Sequence, residues 1–169
     1  MSVTDTIDRT TTAPDTTTQS EPQRITPRVA ARLVPGTATE VRIDAGHHAF
    51  TIDEPEALGG TDLGANPVEH LLAALGACQV ISFQVWAQKL GIEVDHVAVD
   101  LSGDLDLRGF FGTADDVRPG FEQIEVAVRL EGPEDRERYQ ELVDAVEEHC
   151  PVLDNLRATV PVRGSFTLL

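Results

Sequence analysis

Positive charge is scarce in this chain. Its 169 residues carry 13 Lys and Arg against 29 Asp and Glu, a formal net charge of -16, and Lys89 is the single lysine. Such a surface repels polyanions, so neither nucleic acid nor an anionic membrane is an expected partner. We read the bias as genomic or habitat preference and not as a binding signal. No run of 18 or more apolar residues occurs, so no membrane span is expected. Met1 to Pro27 is Thr-rich and acidic and lacks the basic-then-apolar order of a secretory signal, which makes the cytoplasm the expected address. Only two cysteines are present, Cys78 and Cys150, and in a reducing compartment redox or catalytic use gains over a structural disulfide. The chain also lacks a P-loop, a dinucleotide fingerprint, a Gly-x-Ser-x-Gly elbow and any zinc-ligand spacing, so no cofactor and no metal is expected.

What remains suffices for one domain, since 41% of the residues are hydrophobic. Residues 1–28 mix Thr, Asp, Pro and Ser without apolar periodicity and read as a disordered leader, leaving 29–169 as the domain. Val41 and Ile43, then Ala49 to Ile52 after Gly46, predict two strands joined by a turn. Asn66 is a good helix N-cap and Pro67 a good first helical residue. Val68, Leu71, Leu72, Leu75, Cys78, Val85 and Trp86 then recur at helical spacing until Gly91, with small residues between them. A helix apolar or small nearly all round is expected to be buried.

Val97, Val99 and Leu101, then Ile124, Val126, Val128 and Leu130, predict two strands separated by a loop through Phe110 and Phe111 whose aromatics suit a lid or a contact. A second helix from about Glu134 carries Tyr139, Leu142, Val143 and Val146 on one side and stops at Cys150, because Pro151 pushes its predecessor out of helical geometry. Val160, Val162, Phe166 and Leu168 predict a closing strand. The order of elements makes this an α+β protein.

The two thiols have different settings. Cys78 lies inside the apolar helix, where low dielectric raises a thiol pKa, and no Lys or Arg of that helix is near enough to stabilise a thiolate. Cys150 can serve as the N-cap of a new turn opened by Pro151, where free N–H groups favour negative charge, so its thiolate is expected to form more easily. Glu69 sits in the first helical turn, where a carboxylate interacts favourably with the helix dipole. Nine residues put it on nearly the opposite face from Cys78 and about 13 Å away along the axis. A metal site through Cys78, Cys150 and His149 has no matching motif.

Two segments carry a resemblance: Asn66-Pro67-Val68-Glu69-His70-Leu71-Leu72-Ala73-Ala74-Leu75-Gly76-Ala77-Cys78, and His149-Cys150-Pro151-Val152-Leu153-Asp154-Asn155-Leu156. With Asp53-Glu54-Pro55 and Leu58-Gly59-Gly60 ahead of the first, residues 30–169 resemble the OsmC/Ohr family of small thiol peroxidases. Gly103 to Phe110 and Arg118 to Phe121 look like a less characterised branch of it. The resemblance implies an antiparallel sheet with a long buried central helix in an intertwined homodimer. It also implies an organic hydroperoxide substrate, Cys78 as the peroxidatic thiol and Cys150 as the resolving thiol that captures it as a disulfide. A dithiol such as a lipoyl group would be the reductant.

Two departures accompany the likeness. The peroxidase branch has Glu directly after the Asn-Pro, where this chain has Val68 with Glu69 one residue later. Its activating Arg lies in a Gly-Arg-x-Gly turn that is missing here. Arg42, whose strand precedes the cysteine helix, is the expected substitute for that Arg, with Arg32 in reserve, and Glu69 is the expected carboxylate. The alternative reading is a non-enzymatic dimer of the same fold that binds a small apolar or acyl ligand or senses redox state.

Overall fold

A computed structural model describes residues 22–168. Of the expected leader, residues 1–21 lie outside the described residues, and 22–28 are exposed and form neither helix nor strand. An antiparallel sheet comes next, in the order β1 (Val29–Leu33), β2 (Val41–Ala45), β3 (His48–Ile52). The expected turn joins β2 to β3, while β1 is a further strand that the apolar pattern did not announce.

Between β3 and the first helix the chain is organised by Asp53. Its buried carboxylate accepts hydrogen bonds from Thr39 Oγ1 at 2.6 Å, Thr61 Oγ1 at 2.7 Å and the backbone N–H groups of Glu54, Thr61 and Leu63. These bonds favour the ionised form and hold its pKa well below the usual carboxylate range, the Thr39 and Thr61 hydroxyls first.

Helix α1 (Pro67–Leu90) begins and ends where its sequence says it should, with Asn66 as N-cap and Gly91 in left-handed geometry as C-cap. Asn66 Oδ1 accepts from Glu69 N at 2.9 Å and Glu69 Oε2 accepts from Asn66 N at 2.8 Å, a closed capping box. By length and composition α1 is apolar enough to cross a bilayer, yet it packs against α3 and β4 as the core helix.

Strands β4 (His96–Asp104) and β5 (Gln123–Glu131) pair antiparallel, with Val97 opposite Leu130 and Val99 opposite Val128. The loop between them contains a short helix, α2 (Leu107–Phe111), on which Phe110 and Phe111 are exposed. Helix α3 (Arg136–His149) lays Leu142 and Val146 onto Phe83, Ala87 and Ile92, and the inward faces of β4 and β5 complete this core. Helix α4 (Pro151–Arg157) starts one residue later, with Cys150 shared as the cap between α3 and α4. The mixed helix and sheet architecture is the expected α+β class.

Two expectations need correction. The α1 helix is buried along one stripe only, because β4, α3 and α4 all pack on the same side, and Ile81 on the other side is 63% exposed. The segment from Val160 to Leu168 is not a strand: no neighbour among the described residues pairs with it, and Val162 is 93% exposed.

Candidate active site

Leu75 and Cys78 lie three residues apart on α1 and so share a face, as do Cys150 and Leu153 at the start of α4. These two faces meet. Leu75, Cys150 and Leu153 form a buried cluster against which Cys78, Leu101, Ile124 and Val152 pack. The fold therefore brings together two thiols that are 72 positions apart in the chain (150 − 78). Both are free: Cys78 is half-buried, whereas Cys150 is 0% exposed.

Burial pushes the Cys150 thiol up; the Leu153 N–H opposes this, the adjoining Cys78 adds to it, and the Val152 N–H again opposes it. The expectation that Cys150 forms its thiolate easily is thus reversed. Desolvation of a fully enclosed sulfur outweighs two backbone donors at a helix start. One thiol is thus half-buried and the other, beside it, is fully sheltered.

The other two sequence candidates are not at the thiols. Arg42 directs its guanidinium to Asp44, with contacts at 3.1 Å, and Arg32 reaches the same carboxylate at 2.9 Å from the neighbouring strand. Glu69 closes the capping box at the start of α1. His149, although next to Cys150, packs its ring on Trp86 and donates from Nδ1 to the Ala145 carbonyl at 2.9 Å. No group of three or more His, Cys, Asp and Glu side chains suited to a metal assembles among the described residues.

Sequence reasoning missed a cleft of about 450 Å³ that shares Leu75, Leu153 and Ile124 with the thiol cluster. Its apolar lining includes Val68, Leu71, Phe121 and Leu156, and Arg118 and Arg157 supply positive charge. The helical half was readable in principle, because Val68, Leu71, Leu75 and Cys78 succeed one another at spacings of three and four. The contribution of the segment before β5 had no local signature.

Residues 60–164, a span that contains both cysteines, match the family model described as OsmC-like protein. The chain is 31% identical over 139 residues to the organic hydroperoxide resistance protein OhrB of Bacillus subtilis (strain 168), an alignment covering 82% of this chain and 94% of that protein. The crystal structure of Bacillus subtilis OhrB superposes with a TM-score of 0.53 at 28% identity, over 80% of this chain and 93% of that one. An OsmC-like protein from Mycoplasma pneumoniae superposes with a TM-score of 0.70 at 18% identity, over 81% and 91% of the two chains, which establishes a shared fold.

Proposed function

The chain belongs to the OsmC-like family, and from that premise we propose that it is a thiol-dependent peroxidase reducing organic hydroperoxides through Cys78 and Cys150. The observation that carries this reading is the contact between a half-buried thiol and a fully buried one, delivered by two different helices. The Cys78 thiolate attacks the hydroperoxide, an S–O bond forms and the O–O bond breaks. The alkoxide takes up a proton and leaves as the alcohol, and Cys78 remains as a sulfenic acid. Cys150, kept protonated by burial until then, loses its proton and attacks the oxidised sulfur. Hydroxide departs, takes that proton and leaves as water, so the product is a Cys78–Cys150 disulfide. A dithiol such as a lipoyl group then reduces the bond and becomes a disulfide itself.

The proposal includes a homodimer in the cytoplasm. A second copy of the chain would cover the exposed side of α1 at Ile81 and Val85 and the apolar tail at Val162, Phe166 and Leu168. Arg42 and Glu69 enter as activators on the strength of the family resemblance alone. Their hydrogen bonds to Asp44 and Asn66 favour the second reading, a dimer that binds an acyl ligand without turning it over.

Stopped-flow oxidation of reduced protein by cumene hydroperoxide, with thiol counting and mass spectrometry, separates the two readings. Fast loss of both thiols into one Cys78–Cys150 bond is the expected result, and Cys78→Ser abolishes turnover. A wild-type protein inert to cumene, fatty-acid and hydrogen peroxides with any dithiol ends the peroxidase reading.

A further inference from the structure

Two polar side chains of this fold are enclosed to nearly the same degree and are treated in opposite ways. Asp53 is 1% exposed and accepts five hydrogen bonds. Gln79 is 5% exposed, and its Oε1 is the one enclosed side-chain oxygen or nitrogen among the described residues that has no partner. Ser82, the next buried polar residue on α1, does not supply a donor to it. A desolvated carbonyl oxygen without a hydrogen bond lowers stability, and an apolar side chain of similar size would avoid that loss. Packing therefore does not explain why an amide stands here.

The place of Gln79 in the fold is specific. Leu75, Gln79 and Phe83 follow one another one helical turn apart and share the buried face of α1. Leu75 is buried with Cys150, whereas Phe83 is buried with Leu142 and Val146, so Gln79 lies at the level of the last turn of α3, the turn that ends at Cys150. In the chain it directly follows Cys78, which packs on the cluster of Leu75 and Cys150 while staying half-buried. Rotation about χ1, χ2 and χ3 lets its amide reach across the angle of about 100° that separates neighbouring helical positions. An unpaired acceptor thus stands at the height where the two thiols meet.

What Gln79 lacks is a donor, and an organic hydroperoxide carries one, the O–H of its terminal oxygen. We propose that Gln79 Oε1 accepts this O–H and so orients the hydroperoxide at Cys78. The proposal rests on the peroxidase reading and adds a substrate-positioning residue to it. The Cys78 thiolate attacks the terminal oxygen, the S–O bond forms as the O–O bond breaks, and the alkoxide leaves as the alcohol with the proton that Cys78 gave up on ionising. The hydrogen stays on the transferred oxygen, so the O–H that donates to Gln79 in the substrate becomes the O–H of the Cys78 sulfenic acid. Gln79 then keeps that hydroxyl at the level of Cys150 until Cys150 displaces it.

The test compares the full wild-type chain with Gln79→Met, which keeps the length of the side chain and removes the amide. Oxidation of Cys78 by cumene hydroperoxide is expected to slow about tenfold, the size of one hydrogen bond made in the transition state. Alkylation of Cys78 by N-ethylmaleimide, a reagent with no O–H or N–H to donate, is expected to keep its wild-type rate. The thermal midpoint is expected to equal or exceed that of wild type, because the unpaired acceptor is gone. An unchanged oxidation rate, an equal slowing of oxidation and alkylation, or a fall in the thermal midpoint would each overturn the role of Gln79. A fast wild type matched by Gln79→Met ends that role alone and leaves the peroxidase reading standing. A wild type that no hydroperoxide oxidises ends the peroxidase reading, and Gln79 loses its substrate with it.

Discussion

The two halves of this molecule are held together by different forces. Around α1, β4, β5 and α3 apolar side chains close on one another until Leu142 is 0% exposed. The sheet β1–β2–β3 buries one apolar side chain, Ile43, and leaves Leu33 58% exposed. It is tied to the loop ahead of α1 by polar bonds to Asp53, and to α1 itself by Phe50 stacking on His70. A three-stranded sheet needs a hydrophobic face covered before it is stable. The core half can therefore stand on its own packing, whereas the sheet reads as an arm whose outer apolar residues await a partner surface.

Truncation is the strongest way to test that contrast. Leu142→Ala should cost about 2–5 kcal/mol in chemical denaturation, the usual range for emptying a filled core site. Leu33→Ala should stay within about 0.5 kcal/mol if the side chain remains in water. Were Leu33 to cost as much as Leu142, another surface would be covering the sheet, and the difference should then grow with protein concentration as it does for an obligate dimer.

A smaller loss is expected from Asp53→Asn, and it should depend on pH. The Asp53 pKa is lowered in the folded state, so its contribution is complete above the ordinary carboxylate value of about 3.9. It is lost as pH falls below that value toward the depressed one, because the unfolded chain takes up a proton that the folded chain refuses. Thermal unfolding of wild type and Asp53→Asn should therefore differ at pH 7 and converge in acid. A gap that stayed constant from neutral pH into acid would mean that the shape of the side chain, and not its charge, holds the loop.

The same contrast governs what could be read in advance. Start and stop of α1 were legible because Asn66-Pro67 and Gly91 act locally, and so was the break at Cys150, which the ring of Pro151 imposes alone. Alternation in Val97–Leu101 and Ile124–Leu130 announced β4 and β5 because each strand's partner lies in the same chain. The same alternation in Val160–Leu168 misled, since periodicity encodes a face and an edge but not the strand that must pair with it. The thiol contact was supplied by the family likeness and not by the residues themselves. Desolvation of Cys150 depends on Leu75 and Leu153 closing over it, and nothing adjacent in sequence carries that information. The cleft that Arg118 lines escaped notice for the same reason, because it is assembled from α1, α4 and the approach to β5.

Arg42 is where the contrast is most easily broken. Its exposed pairing with Asp44 is of a kind worth little, so Arg42→Ala should change stability by no more than about 0.5 kcal/mol. If the sheet is only an arm, that is the whole effect. The peroxidase proposal asks for more: an arginine that stabilises the reacting thiolate should, when removed, slow oxidation of Cys78 by cumene hydroperoxide about tenfold or more. The expected outcome is the slower rate at unchanged stability, which requires the sheet of one chain to reach a thiol that its own hydrogen bonding does not place beside it. An unchanged rate would confine the chemistry to the core half. The positive group at the thiols would then have to come from the cleft side, and Arg118 would be the next residue to substitute.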